Sequence, residues 1–138
     1  MAEIKHVTDQ FSVASQIALE DFPALSSAGF RHIINNRPDG EAPDQPTSAE
    51  AEAAAKSAGL TYVYAPFVGQ PTADAVKAAM SSRSRTLAYC RSGTRSITAW
   101  AMAQASEGCD AQEIVEAAQD AGYNLGSMGG LLRRLGAR

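Results

Sequence analysis

Cysteine and histidine are scarce in this 138-residue chain, and this scarcity limits the chemistry it can support. The sequence contains two cysteines, Cys90 and Cys109, and two histidines, His6 and His32. Two cysteines are too few for a disulfide scaffold, although the sequence leaves a single bridge between them open. No Cys/His cluster has the spacing of a metal site. We therefore expect neither a disulfide framework nor a metal or other cofactor.

The sequence also lacks an excess of positive charge and a long apolar run. Twelve Lys and Arg residues against fifteen Asp and Glu residues give a formal net charge of -3 and a pI near 5.3. This balance provides no broad basic surface for nucleic acid or for an anionic membrane. The first residues lack the apolar run of a signal peptide, and no segment approaches the roughly 20 apolar residues of a membrane span. We expect a cytoplasmic protein without nucleic-acid or membrane partners.

Strand-like and helix-like segments alternate along the chain. Apolar and β-branched runs predict strands at residues 11–13, 32–35, 61–65 and 86–89. Helical spacing predicts helices at residues 18–28, 48–56, 111–121 and within 125–138, and others that begin near residues 72 and 94. Ser48 is the predicted N-cap of one helix, and Val76 and Met80 are predicted to face inward from another. The pattern predicts an α/β single domain over residues 1–138, with a mostly parallel sheet, helices on both faces and ligands at the carboxyl ends of the strands.

The last predicted strand leads directly into Cys90-Arg91-Ser92-Gly93-Thr94-Arg95-Ser96. A strand followed by Cys-x-x-Gly-x-Arg and a helix surrounds the sulfur with backbone N–H groups and the positive end of the helix dipole. These surroundings favour a thiolate, so Cys90 is the predicted nucleophile. The alternative is a buried structural thiol at the end of a strand.

The other residues of this loop have the properties of an anion site. Gly93 allows the backbone amides to converge on one point. The Arg91 and Arg95 guanidinium groups can bind an oxyanion. Further hydroxyl donors come from Ser92, Thr94 and Ser96.

The loop resembles the active-site loop of rhodanese sulfurtransferases. Together with Asn35-Asn36-Arg37-Pro38-Asp39-Gly40-Glu41, however, it resembles the beta-lactamase-hydrolase-like, phosphatase-like family of small bacterial proteins, over about residues 1–125. This resemblance implies a protein-tyrosine-phosphatase-like, dual-specificity-phosphatase-like fold. It also implies Cys90 as nucleophile and Arg95 as oxyanion clamp, with Arg37 and Asp39 near the mouth of the site. Some relatives are fused to a persulfide dioxygenase domain, which makes such an enzyme a candidate partner.

Two departures from the tyrosine-phosphatase pattern favour sulfur transfer over phosphate hydrolysis. Tyr89 replaces the usual histidine before the cysteine, and four residues instead of five separate Cys90 from Arg95. A smaller loop suits a persulfide sulfur, and sulfur transfer needs no dedicated acid. We predict an enzyme that takes sulfane sulfur from a small anionic donor and carries it as a Cys90 persulfide.

Two alternatives remain open. The first is a cysteine-dependent phosphatase that hydrolyses phosphate monoesters and needs an acid for the leaving group. The loop at residues 66–71 has no carboxylate, so Asp39 or Asp74 would supply the proton, and Asp39 is the catalytic candidate. The second is a non-catalytic module that binds anions or senses persulfides.

Overall fold

The computed structural model describes residues 3–80 and 84–138. The strands in these ranges are β1 (Ile4–His6), β2 (Phe11–Ala14), β3 (His32–Asn35), β4 (Thr61–Tyr64) and β5 (Thr86–Tyr89). The α-helices are α1 (Phe22–Ser27), α2 (Ser48–Ser57), α3 (Ala73–Met80), α4 (Thr94–Ser106), α5 (Ala111–Asp120) and α6 (Gly129–Leu135). Short 3-10 turns span Leu19–Asp21 and Gly126–Met128.

The five strands form one sheet in the order β1-β2-β5-β3-β4. Strands β2, β5, β3 and β4 are parallel, and β1 pairs with β2 in the antiparallel direction. The predicted mostly parallel sheet is confirmed, but β1 was not predicted because three residues are too few to show alternation. Strand β5 lies between β2 and β3. Cys90 follows its last residue, so it lies centrally at the end of the sheet where the parallel strands have their carboxyl ends.

Helices cover both faces of the sheet, as predicted. On one face, Val13, Ile34 and Ala88 belong to a buried cluster with Ile97 and Trp100 of α4. On the other face, the neighbouring side chains pack with α1 and α2; they include Ala14, Ile33, Leu87, Tyr89, Phe22 and Leu25. This alternation is the period of two expected of a strand. Each fully buried large apolar side chain stabilises the fold by about 1.5–3 kcal/mol.

Three local predictions were inaccurate. The N-cap of α2 is Thr47, not Ser48: Thr47 Oγ1 accepts a hydrogen bond from Glu50 N, and the Glu50 carboxylate accepts one from Thr47 N. Met80 is 40% exposed and Val76 is only partly buried, because the small residues Ala75, Ala78 and Ala79 make the buried face of α3. The predicted helix at residues 18–28 divides into a 3-10 turn and α1, which has Pro23 in its first turn.

Helix α4 is the element that joins the site to the core. It has 13 residues, and eight of them are buried. Its first turn carries Arg95 and Ser96, so the packing of the helix fixes the position of the loop that precedes it. No helix in the described ranges is long and apolar enough to cross a membrane.

Candidate functional site: a cysteine loop at the start of α4

Cys90 lies between the end of β5 and the start of α4. Its backbone N–H donates to the Ala14 carbonyl at 3.3 Å, which holds the residue to the neighbouring strand β2. Its Sγ accepts a hydrogen bond from the Gly93 N–H at 3.1 Å. Gly93 is the N-cap residue of α4 with φ of 93°. An N–H donor and the positive end of the helix dipole thus stabilise negative charge on the sulfur.

Tyr123 packs over the cysteine loop, although sequence reasoning did not select it. Its hydroxyl donates to the Ser92 carbonyl at 3.0 Å, 31 positions away in sequence. A Cβ atom at Gly93 would overlap the Tyr123 hydroxyl, so any other residue at this position would displace the Tyr123 side chain. Burial, and secondly the nearby Cys90 charge, raise the pKa of Tyr123. Tyr123 lies in a loop after α5, where no local motif marks it.

Arg95 is held by Glu41 through a two-point ion pair. Its Nη1 donates to Glu41 Oε2 at 2.9 Å, and its Nη2 donates to Glu41 Oε1 at 2.8 Å. Nη1 also donates to the Phe67 carbonyl at 3.2 Å. The hydrogen bonds to Glu41 are the largest cause that raises the pKa of Arg95, and the Cys90 sulfur contributes in the same direction. Arg95 therefore lies beside both Glu41 and the sulfur.

Glu41 also binds Arg37, which lies deeper in the structure. Arg37 is 6% exposed; its Nε donates to Glu41 Oε1 at 2.9 Å, and its Nη1 donates to Gln16 Oε1 at 2.9 Å. The hydrogen bond from Arg95, with that from Arg37, lowers the pKa of Glu41 to about 2. Glu41 thus carries a negative charge at neutral pH between two guanidinium groups. Sequence reasoning noted Glu41 in its motif but assigned no role to it.

Asn36 and Ser96 connect the end of β3 to the first turn of α4. The Ser96 hydroxyl donates to Asn36 Oδ1 at 2.8 Å, and Asn36 Nδ2 donates to the Ala65 carbonyl at 2.9 Å. The Asn36 backbone N–H donates to the Tyr89 carbonyl at 2.8 Å. Ser96 was predicted to donate a hydrogen bond to a bound anion, but in the structure its hydroxyl donates to Asn36.

Asp39 belongs to the loop between β3 and α2, and its side chain contacts the first residue of α2. Its Oδ1 accepts a hydrogen bond from Ser48 N at 2.7 Å, and its own N–H donates to Tyr64 Oη at 2.9 Å. This contact satisfies one of the free N–H groups of a helix N-terminus. The catalytic role of Asp39 stays a prediction.

The remaining predicted anion donors are exposed. Ser92 Oγ and Thr94 Oγ1 are 3.2 Å apart and hydrogen-bonded to each other. The exposed Arg91 lines a cavity of about 320 Å³ together with Arg37 and Glu41. The structure thus brings Cys90, Gly93, Arg95, Arg37 and Arg91 to one region, and their roles toward a bound anion stay predictions.

Tyr89 directly precedes Cys90 in the chain, whereas Cys109 lies beyond the far end of α4. Burial is the largest cause that raises the pKa of Tyr89, so its phenol is neutral and belongs to the core. Cys90 and Cys109 are both free thiols. They lie at opposite ends of α4, which is about 18 Å long at 1.5 Å per residue, so they are too far apart for a disulfide. The described ranges contain no group of three or more His, Cys, Asp or Glu residues that could hold a metal ion.

The fold and the cysteine loop together define a protein-tyrosine-phosphatase-like domain. A candidate phosphatase from Neisseria meningitidis Z2491 has 29% identity and a TM-score of 0.79, over 96% of this chain and 97% of that one. A structure of PTPMT1 in complex with PI(5)P has 16% identity and a TM-score of 0.71, over 96% of this chain and 93% of that one, and shows the fold alone.

The chain belongs to the family described as the phosphatase-like domain of beta-lactamase hydrolase-like protein, whose model matches residues 3–107. A beta-lactamase hydrolase-like protein from Agrobacterium fabrum is 35% identical over 107 residues. That match covers 74% of this chain, which spans only 25% of the relative. The predicted family and fold are confirmed. The comparisons support an enzyme of the phosphatase type and favour that alternative over the sulfur-transfer prediction.

Proposed function

We propose that this domain is a cysteine-dependent phosphatase that hydrolyses phosphate monoesters through a phosphorylated Cys90. The observation that carries the proposal is the hydrogen bond from Gly93 N to Cys90 Sγ at the start of α4, with the Arg95 guanidinium beside the sulfur. Backbone N–H groups and a fixed arginine stabilise the charge that develops on the phosphoryl oxygens. The family and the phosphatase-like fold support the same chemistry.

The reaction has two steps. The Cys90 thiolate attacks phosphorus, an S–P bond forms, and the P–O bond to the leaving group breaks with its electron pair on oxygen, which takes up a proton. Water then attacks the phosphorus, the S–P electron pair returns to sulfur, and phosphate leaves. Arg95 binds two phosphoryl oxygens in both steps through N–H groups other than those that bind Glu41 and the Phe67 carbonyl, because two neighbouring N–H groups of its planar guanidinium match the spacing of those oxygens. Glu41 holds that guanidinium in place.

The test is intact-mass spectrometry combined with phosphate release. Wild-type protein mixed with an aryl phosphate and quenched quickly should gain one phosphoryl group on Cys90 and release phosphate. The Cys90→Ser variant should do neither, and Cys109→Ser should behave as wild type. Phosphate release that persists in Cys90→Ser would contradict the proposal.

Sulfur transfer remains a second candidate because only four residues separate Cys90 from Arg95. In this scheme the Cys90 thiolate attacks the outer sulfur of thiosulfate, sulfite leaves with the S–S electron pair, and the persulfide passes its sulfur to a thiol acceptor. Thiosulfate treatment should then add one sulfur atom to Cys90 but not to Cys109. A persulfide dioxygenase as a partner and a cytoplasmic location are proposals that accompany this candidate.

The two candidates and a non-catalytic module give different results in the same mass experiment. Phosphate ester should modify a phosphatase, and thiosulfate should modify a sulfurtransferase. A module that only binds anions should show neither modification, and inorganic phosphate should still raise its melting temperature because a ligand that binds the native state stabilises it.

A further inference from the structure

The peptide unit between Ser92 and Gly93 takes part in two contacts of the site. Its N–H, which belongs to Gly93, donates to Cys90 Sγ at 3.1 Å. Its carbonyl, which belongs to Ser92, accepts a hydrogen bond from the Tyr123 hydroxyl at 3.0 Å. The peptide is planar and trans, so its N–H and its C=O point in opposite directions. The Tyr123 hydroxyl thus holds one side of a peptide plane whose other side faces the sulfur.

The end of α5 fixes the position of Tyr123. Gly122 has φ of 100°, and its N–H donates to the Gln119 carbonyl at 2.9 Å. The Tyr123 N–H donates to the Ala118 carbonyl, also at 2.9 Å. These two bonds and the left-handed glycine form a Schellman motif, which ends a helix in a defined geometry. The Tyr123 side chain is half-buried and packs against the core, so its hydroxyl reaches the cysteine loop from a fixed base.

The Ser92–Gly93 peptide needs this restraint because glycine allows it to rotate. Rotation of a peptide plane changes the φ angle of the residue that follows it, and Gly93, which has φ of 93°, can adopt other φ values at little steric cost. A rotated peptide would direct the Ser92 carbonyl oxygen toward the sulfur in place of the Gly93 N–H. A hydrogen bond from an N–H group stabilises a thiolate, whereas a carbonyl oxygen repels it.

We propose that Tyr123 is a positioning residue that keeps the Gly93 N–H directed at Cys90 and so keeps this cysteine reactive. Tyr123 acts through the peptide, because a hydrogen bond accepted by the carbonyl also polarises the peptide and makes its N–H a stronger donor. Burial, and secondly the nearby Cys90 charge, raise the pKa of Tyr123, so the phenol keeps the proton that it donates. This role rests on the proposed function in that Cys90 is the nucleophile, but it does not depend on the substrate.

The surrounding charges are the same with and without the Tyr123 hydroxyl. The charged groups near the sulfur or the phenol are Arg91, Arg95, Glu41, Lys5 and Glu3. The phenol itself is uncharged below about pH 10. Tyr123→Phe therefore removes one hydrogen bond and no charge, and a change in the pH dependence of Cys90 reports on the orientation of the peptide.

The experiment measures the second-order rate of alkylation by iodoacetamide over a range of pH. In a Cys109→Ser parent, Cys90 is the one remaining cysteine of the chain, so intact mass reports on it alone. Adding Tyr123→Phe should move the midpoint of the pH–rate profile to higher pH. The rate below the midpoint should fall by about 2–10-fold, the range expected for the loss of one neutral hydrogen bond. At high pH, where the thiol is ionised in both proteins, the rates should be equal.

Hydrogen exchange of the Gly93 amide tests the peptide directly. Exchange should be faster in Tyr123→Phe than in the parent, because the N–H is no longer held at the sulfur. Tyr62→Phe is the matched control, since its hydroxyl bonds Asn35 and Ser48 instead of the cysteine loop. This control should keep the alkylation profile and the Gly93 exchange rate of the parent. The melting temperatures of both variants account for any general loss of stability.

An unchanged alkylation midpoint in Tyr123→Phe would overturn the role of Tyr123, and so would an equal shift in Tyr62→Phe. Unchanged exchange of the Gly93 amide would do the same. Alkylation uses no phosphate ester, so a shifted midpoint with faster Gly93 exchange supports the role even if wild type releases no phosphate. Failure of the positioning role and failure of the proposed phosphatase function are therefore distinguishable.

Discussion

The Ser96 hydroxyl donates to Asn36 Oδ1 at 2.8 Å, although the two residues are 60 positions apart in sequence. Both side chains are 1% exposed. The bond joins the first turn of α4 to the end of β3, two elements whose relative position sets the shape of the cysteine loop. Ser96 therefore contributes to the site through packing and hydrogen bonding behind the loop.

Ser96→Ala should destabilise the protein. It leaves the buried Asn36 amide oxygen without this donor, which costs about 1–3 kcal/mol. Urea unfolding followed by circular dichroism measures the change in the free energy of unfolding. Ser92→Ala removes an exposed hydroxyl and is the control, for which we expect a much smaller change. Equal stability of Ser96→Ala and wild type would show that the buried bond is energetically neutral.

Gly93→Ala should abolish activity, because the added Cβ overlaps the Tyr123 hydroxyl and the backbone has φ of 93°. Gly108→Ala is the matched control: its φ is 84° and its Cβ would meet nothing within 4 Å. Both variants carry a backbone penalty of about 1–2 kcal/mol, but only the first displaces the loop. Thermal unfolding measures the loss of stability that both variants share. Phosphate release measures the loss of activity, which we expect in Gly93→Ala only.

A double variant checks the role of Tyr123 in that result. Tyr123→Phe removes the nearest clashing atom, so Gly93→Ala combined with Tyr123→Phe should recover more activity than Gly93→Ala alone. If the double variant is no better than the single one, strain at Gly93 rather than contact with Tyr123 explains the loss.

Arg95→Lys should lower activity sharply although the charge is kept. A lysine ammonium cannot bind both Glu41 oxygens and also present two parallel N–H groups to a phosphoryl group, as the planar guanidinium can. We expect a loss in kcat/KM for a nitrophenyl phosphate and weaker inhibition by inorganic phosphate. Arg31→Lys, on an exposed residue at the start of β3, serves as the control. Full activity in Arg95→Lys would mean that charge alone is sufficient.

Glu41 should make stability depend on pH in the acidic range. Its pKa falls from 4.5 to about 2 on folding. A carboxylate with a lowered pKa in the native state stabilises that state above its unfolded pKa, and this contribution disappears as the pH falls through the native value. Wild type should thus lose stability between pH 4.5 and 2 more steeply than Glu41→Gln.

Melting temperatures at several pH values across that window, and at pH 7, measure the difference between Glu41→Gln and wild type. Glu52→Gln removes a half-exposed carboxylate that forms a surface ion pair with Lys56, so its pH profile should follow that of wild type. Parallel profiles for Glu41→Gln and wild type would contradict the ion pair as a source of stability.

Local patterns were sufficient to predict much of the fold. The apolar runs at β3 and β5 gave the bounds of those strands, because a parallel strand buried on both faces is apolar along its length. The Cys90 loop could also be recognised, since strand end, cysteine, glycine and helix start are contiguous. Thr47 was missed as the N-cap because Ser48 beside it is an equally suitable residue by type.

Residues that meet only through folding could not be predicted from their neighbours. Glu41 is 54 positions from Arg95, and Tyr123 is 31 positions from Ser92. No periodicity relates such pairs; their contact depends on which strands are adjacent in the sheet and on how α4 and α5 pack.

The sequence alone was therefore enough for the succession of helices and of strands β2 to β5 along the chain, for the cysteine loop and for the nucleophile candidate, all of which depend on residues close together in the chain. Only the tertiary structure decided which carboxylate holds Arg95 and which side chain covers Gly93. The physical reason is that charge pairing and steric fit act over a few ångströms in space, whatever the separation along the chain.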